Sequence, residues 1–377
     1  MMISRHALAV VVAAIMLLTA FESAHAGSIA YVAGAQTIYR IDIETGTVLG
    51  TMATAGPLGG GVWYQGLRLS ADGKTLVASA GTCCDQVGDP GRVILFDTAT
   101  AMERASISVG ARPRVAAITL DSTLAYVPAQ NSNRIEVIDL VTGTLVRSIS
   151  VASRPSHVAL TSDQSLLAVD HDPAGLGNAF VTSVSTVTET TVATASVHGS
   201  GDILDTVAGT RTAWVSTNEG VTLRVVDLET GAFIGGSIAV GTGGYVKAQP
   251  QGDIVAVTGE GNGSESQTLY LFDVSSGTKI GGAISLPGIG YGMDFTADGG
   301  DLVTALYGGG SALHGAAIID VATRAVTFVS LPESAFYVAV QTIPEPATIL
   351  LVGLGSVVLV ARARRHRQTR LVNRMMC

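Results

Sequence analysis

Between residues 28 and 341 the apolar and polar positions of this chain alternate in short runs that restart roughly every 45 residues. The clearest recurring phrase is a few alternating apolar residues, then Asp, then two or three residues leading to Thr or Ser and often Gly. It occurs as YRIDIETG at Asp42, VILFDTAT at Asp97, IEVIDLVTG at Asp139, LRVVDLETG at Asp227, LYLFDVSSG at Asp273 and AAIIDVATR at Asp320. A degenerate copy, FVTSVSTVTE, puts Ser185 in the Asp place. Successive copies stand 55, 42, 46, 42, 46 and 47 residues apart, so the chain holds seven units.

A second phrase precedes the first, in segments such as LRLSADGKTLVAS, AAITLDSTLAYVP, VALTSDQSLLAVD, AQPQGDIVAVTG and MDFTADGGDLVTA. Its alternation has period two, and its Asp-Gly, Asp-Ser and Gly-Asp pairs are hairpin turn chemistry. Each unit therefore holds about four short antiparallel strands, the size of one propeller blade. No part of this region carries a sustained helical period, so the expected fold is all-β, a seven-bladed β-propeller. The last copy stops after one strand, around Tyr337, and the first copy lacks that same strand. Joined, the two ends complete one blade and remove an open sheet edge. The repeated Asp is expected at the turn between the third and fourth strands, where its short carboxylate accepts backbone N–H groups.

Segments such as LAYVPAQNSNRIEVIDLVTGTLVRSISVASRPSHVALTSD make the repeat resemble the YVTN family of seven-bladed propellers, over nearly all of residues 28–341. That resemblance implies the fold; its members serve both as binding surfaces and as enzyme scaffolds.

The two ends of the chain read differently. Arg5, an apolar run from Ala7 to Ala20, and small residues at Ala24 and Ala26 follow the order of a secretory signal peptide, with cleavage expected after Ala26. At the other end Pro344, Glu345 and Pro346 precede an uncharged stretch from Ala347 to Ala361, then Arg362, Arg364, Arg365 and Arg367. Fifteen residues make a helix of only about 22 Å, which spans a bilayer with local thinning and with the arginines reaching toward headgroups. The basic side is expected in the cytoplasm, leaving the domain outside. This order resembles the PEP-CTERM sorting signal, over residues 343–367. The resemblance implies a transient inner-membrane anchor, recognition by an exosortase, processing near Pro344 to Pro346, and release to the cell surface or extracellular matrix. QTRLVNRMMC continues beyond the arginines, where most such tails stop. The expected organisation is thus a signal peptide (1–26), a propeller (27–341), a linker with the Pro-Glu-Pro motif (342–346), a transmembrane helix (347–361) and a basic cytoplasmic tail (362–377).

Removing the two ends changes the charge picture. The whole chain carries a formal charge of −8, but the region from 27 to 346 keeps 15 basic residues against 29 acidic ones. Nucleic acid is excluded as a partner, because phosphate contacts need clustered Lys and Arg. Gly is abundant, at 45 of 377 residues, and charged residues are scarce, at 14%, yet apolar content is high enough to bury a core. Three cysteines make no disulfide framework; Cys83 and Cys84 are neighbours, and Cys377 lies in the tail.

Few residues fall into a recognisable catalytic or ligand-binding pattern. There is no haem or zinc pattern and no phosphate loop, and no cofactor is implied. GEGNGSES reads as a hairpin loop whose Asn262 starts a glycosylation sequon. Asp170 and Asp172, flanking His171, are candidates for a Ca²⁺ site just after a second strand, as are Asp85 and Asp89. Arg112, Arg114 and Arg154 open two inner strands, where arginines at a channel mouth bind a carboxylate or a glycan acid. The expected function is non-catalytic: an exported, exosortase-sorted propeller that binds extracellular polysaccharide or an envelope protein. The alternatives are a propeller-scaffold enzyme of lactonase or dehydrogenase kind, and a permanently membrane-anchored periplasmic propeller.

Overall fold

Strands that are buried on both faces and strands that meet water on one face alternate through this chain, and that difference sets each strand's place in the blade. Ile29–Ala33 and Leu166–His171 are buried almost throughout, whereas Met102–Val109 and Thr144–Ser150 are exposed at alternate or successive positions. The former lie inside a sheet between neighbouring blades; the latter form its outer edge. A computed structural model of the chain describes residues 27–341, apart from 57, 59–60, 83–89, 173–178, 198–200, 218–221, 241–243, 260–266 and 309–312. The signal-peptide and sorting segments, the adjacent cysteines, Asp85, Asp89 and the Asn262 sequon lie outside the described residues.

The described strands form seven four-stranded antiparallel sheets. Six are consecutive in sequence, from inside to outside. Their inner strands are Val62–Leu69, Ala117–Ile118, Pro155–Leu160, Gly201–Thr206, Val246–Ala248 and Ile289–Phe295. The seventh sheet is composite: Tyr337–Gln341 is its inner strand and pairs with Ile29–Ala33, with Val32 opposite Val338 and Ala30 opposite Val340. The chain ends thus close the ring as the repeat pattern requires. All seven described sheets and the closure itself lie within Ser28–Gln341, one compact unit. The composite blade packs on its neighbour through aliphatic side chains, with Ala30, Val32 and Ile41 against Val303, Ala305 and Ile318.

The repeat phrase has a local physical cause. In all seven copies the residue four positions after the Asp place is left-handed, at Gly46, Ala101, Gly143, Glu189, Gly231, Gly277 and Arg324, with φ between 56° and 72°. The Asp Oδ1 accepts the backbone N–H three residues on, 2.8 Å at Asp42, Asp97, Asp139 and Asp273 and 2.9 Å at Asp227. Asp320 accepts the N–H of Thr323 in the same way, and Ser185 Oγ takes that of Thr188 at 3.2 Å. These bonds favour the charged form, so the carboxyls of Asp97, Asp139, Asp227 and Asp320 sit below their ordinary pKa chiefly through that backbone N–H. Asp273 is lowered too, most by the Ser275 hydroxyl. The Thr and Gly of the phrase are the other half of the same turn.

Candidate ligand site in the central channel

The seven inner strands surround a channel, and equivalent positions on them form layers of side chains. Two residues before the turn that ends each inner strand stand Arg68, Ala117, Ala159, Asp205, Lys247, Asp294 and Ala339. Four are charged, and three of these make one cluster. Lys247 Nζ lies 3.4 Å from Asp205 Oδ2 and 3.1 Å from Asp294 Oδ1. Asp205 also accepts the backbone N–H groups of Thr206 and Ala248, and Asp294 accepts that of Val340. Their oxygens therefore have partners on two neighbouring blades and on the closing strand. Such carboxylates tie blades together and are poorly placed to act as bases. Arg68 donates from Nε to the carbonyl of Ala116 at 3.1 Å; among the described residues no carboxylate pairs with it.

One layer along, His157 is 5% exposed and neither ring nitrogen has a hydrogen-bond partner among the described residues. Burial, and then the Arg114 and Arg68 guanidiniums, hold its pKa well below the ordinary imidazole value, so it is neutral at pH 7. His157 lines a cavity of about 40 Å³ with Arg68, Asp205, Tyr245, Lys247 and Tyr337. By the criterion that one water needs about 10–15 Å³, this holds roughly three waters or a guest of that size.

The blades approach each other closely around this cavity, and glycine permits it. A Cβ on Gly66 would stand 2.7 Å from the backbone of Val115, and one on Gly292 would stand 2.8 Å from the Phe336 carbonyl oxygen. Gly292 N–H instead donates to that oxygen at 2.9 Å.

Aromatic rings lead away from His157. Its ring meets Tyr245 edge-on at 6.4 Å, Tyr245 meets Tyr291 at 5.5 Å, and Tyr291 meets Phe336 at 5.6 Å. Phe336 in turn stacks on Trp63 at 6.4 Å, with Tyr307 5.8 Å from Phe336. Trp63 is 38% exposed. In a chain with only 5% aromatic residues, this arc gathers five of them from four blades.

Of the described residues singled out from sequence, Arg114 acts on His157, whereas Arg112, Arg154, Asp170 and Asp172 do not line the cavity. The second strand of the fourth blade, Leu166–His171, ends on Asp170 and His171, so both are in the strand, and both are buried. Asp170 Oδ2 accepts Ser156 Oγ at 2.7 Å. His171 Nδ1 lies 2.9 Å from the Ser153 carbonyl, which only accepts, so Nδ1 carries the proton and Nε2 accepts from the Thr182 hydroxyl. Burial lowers its pKa to about 4. Asp172 faces Arg154, whose Nε donates to the Asp172 carbonyl at 2.8 Å. Among the described residues no three His, Cys, Asp or Glu side chains come together as metal ligands. Arg114 reaches Gln65 at 3.2 Å; Arg112 contributes its carbonyl to Gln130. Sequence reasoning missed Arg68, His157, Asp205, Lys247 and Asp294. The available signal was a charged residue at one fixed place before the turn, in LRLS, ILDTV, VKAQ and MDFT.

Solved structures of similar shape share the fold alone. A candidate 6-phosphogluconolactonase from Bacteroides fragilis aligns at a TM-score of 0.62 with 16% identity, over 85% of this chain and 99% of that one. A chain of the mitotic checkpoint complex aligns at 0.60 with 16% identity, over 74% and 81%. Hydrazine synthase from Kuenenia stuttgartiensis aligns at 0.58 with 17% identity, over 79% and 90%. No curated protein matches the chain. Residues 342–365 match the PEP-CTERM protein-sorting motif, which marks an exported protein processed by exosortase. The chain is a seven-bladed β-propeller that carries a PEP-CTERM sorting signal.

Proposed function

We propose that this protein is a binding or scaffold propeller that exosortase releases to the cell surface or extracellular matrix, where it holds extracellular polysaccharide at the aromatic mouth of its channel. The observation that carries the first half is the position of the sorting motif. The match begins at residue 342, directly after the closing strand Tyr337–Gln341, so cleavage near Pro344 to Pro346 leaves all seven blades on the released side. Propeller closure and sorting are thereby independent of each other.

The arc from Trp63 to Tyr245 supports the second half. Aromatic faces stack on the C–H faces of sugar rings, and Trp63 at its outer end offers an exposed one. The acidic surface fits a neutral or cation-bridged glycan better than nucleic acid. The channel carboxylates favour the binding reading over the lactonase- or dehydrogenase-like one, because Asp205 and Asp294 are engaged by Lys247 and by backbone N–H groups.

Two measurements test the reading. Intact mass of the protein from native cells, fraction by fraction, is expected to show a surface or medium form that ends near Pro346. A form that lacks only residues 1–26 and is confined to the inner membrane would instead establish a permanent anchor. Co-sedimentation of residues 27–341 with polysaccharide from the same cells is expected to be lost in Trp63→Ala; binding that survives it removes the aromatic mouth from the account.

A further inference from the structure

We propose that the channel cavity beside His157 is a binding site for a carboxylate group. Three observations on different elements meet there. His157 is an imidazole with two ring nitrogens that have no hydrogen-bond partner among the described residues, although it is 5% exposed and lines a cavity. A buried polar group without a partner costs stability unless something fills the space beside it. Arg68 lines the same cavity with its Nε spent on a backbone carbonyl and with no carboxylate paired to it among the described residues. Among the described residues the one carboxylate that lines the cavity, Asp205, is already held by Lys247, Thr206 N–H and Ala248 N–H.

The guest is chosen by that inventory. Lys247 is spent on Asp205 and Asp294, so Arg68 is the lining cation whose charge is left to a guest, and the guest it favours is an anion. Neutral imidazole offers one N–H donor, and a guanidinium offers planar donors that match the two oxygens of a carboxylate. Space for roughly three waters suits a carboxylate and little more. A larger anion such as a sugar phosphate has no room. Val115, Ile203 and Tyr337 supply the apolar wall against which the carbon of the group rests.

A carboxylate of this size has two sources: a free small acid, or the acidic group of a uronic sugar whose ring stays at the aromatic arc outside. The site does not depend on the polysaccharide reading, and the experiment separates them. Residues 27–341 contain four histidines, His157, His171, His198 and His314, so a sample with labelled histidine gives few ring signals. Acetate titrated at constant ionic strength is expected to shift the His157 signals saturably, while acetamide, its neutral isostere, leaves them in place. Arg68→Gln is expected to weaken acetate by about tenfold or more, the worth of one charge-assisted hydrogen bond. If that variant fails to fold, the contrast between acetate and acetamide on the unaltered chain decides. Trigalacturonate competing with acetate for the His157 shift would assign the carboxylate to a polymer; acetate binding that trigalacturonate does not touch would assign a free acid. An acetate shift that is linear, or no larger than that of acetamide, means the cavity holds only water and overturns the proposal.

Discussion

Replacing Lys247 by Met keeps the length and apolar stem of the side chain and removes only the ammonium. Asp205 and Asp294 are then left with their backbone donors but without the cation that stands 3.4 and 3.1 Å from them. All three side chains are close to buried, at 12 to 15% exposure, so water screens the exposed carboxylates poorly. Removing one partner from a buried ionic cluster costs about 3–5 kcal/mol, a large part of the roughly 5–15 kcal/mol that holds a domain together. With an unfolding entropy of about 2.1 cal/mol/K per residue over Ser28–Gln341, that cost lowers the melting temperature by roughly 5–8 °C. Calorimetry of residues 27–341 reads it directly. A second variant distinguishes lost charge from lost packing. Asp205→Asn added to Lys247→Met is expected to restore part of the loss. A Lys247→Met variant that melts with the parent, or whose loss Asp205→Asn does not reduce, refutes the clamp.

Deleting residues 335–341 removes the closing strand together with the buried Val338 and Val340, each worth roughly 1.5–3 kcal/mol, and bares the edge of Ile29–Ala33. The truncated domain is expected to be unfolded or to melt far below the parent by circular dichroism; an unchanged melting curve would mean that the ring does not close this way. His171 is neutral when folded, with its pKa lowered to about 4 by burial, whereas the unfolded imidazole titrates near 6.5. Its contribution is therefore present above about pH 6.5 and lost as pH falls toward 4, up to roughly 3 kcal/mol. His171→Gln is expected to flatten that acid limb in urea titrations, and an equally steep limb would place the acid sensitivity elsewhere. Ala101 occupies the left-handed place that Gly fills in four other copies, with φ 56°. Ala101→Gly is expected to raise stability by up to about 1 kcal/mol, read as a small rise in melting temperature, and a fall would show that the strain is relieved by its packing.

The blade count was legible because a propeller repeats its local rules. Each turn must place a left-handed residue four positions after an N–H acceptor, so Asp97, Asp139 and Asp273 stand out at regular spacing with no knowledge of the partner strands. The missing strand was legible for the same reason, since SAFYVAVQ supplies what the first copy lacks. The sorting motif is a linear signal read by another protein, and it too is complete in the sequence at 342–365. The channel is different. Arg68, Asp205, Lys247 and Asp294 each look like an isolated charge in an inner strand, far apart along the chain. Which of them touch is decided only when the ring closes and sets the inner strands side by side. Lys247 is then caught between two carboxylates, Arg68 is left beside a buried imidazole, and rings from Trp63 to Tyr245 join into one arc. Local hydrogen bonding wrote the architecture into the sequence, whereas the site arises from contacts between blades, which carry no period to read.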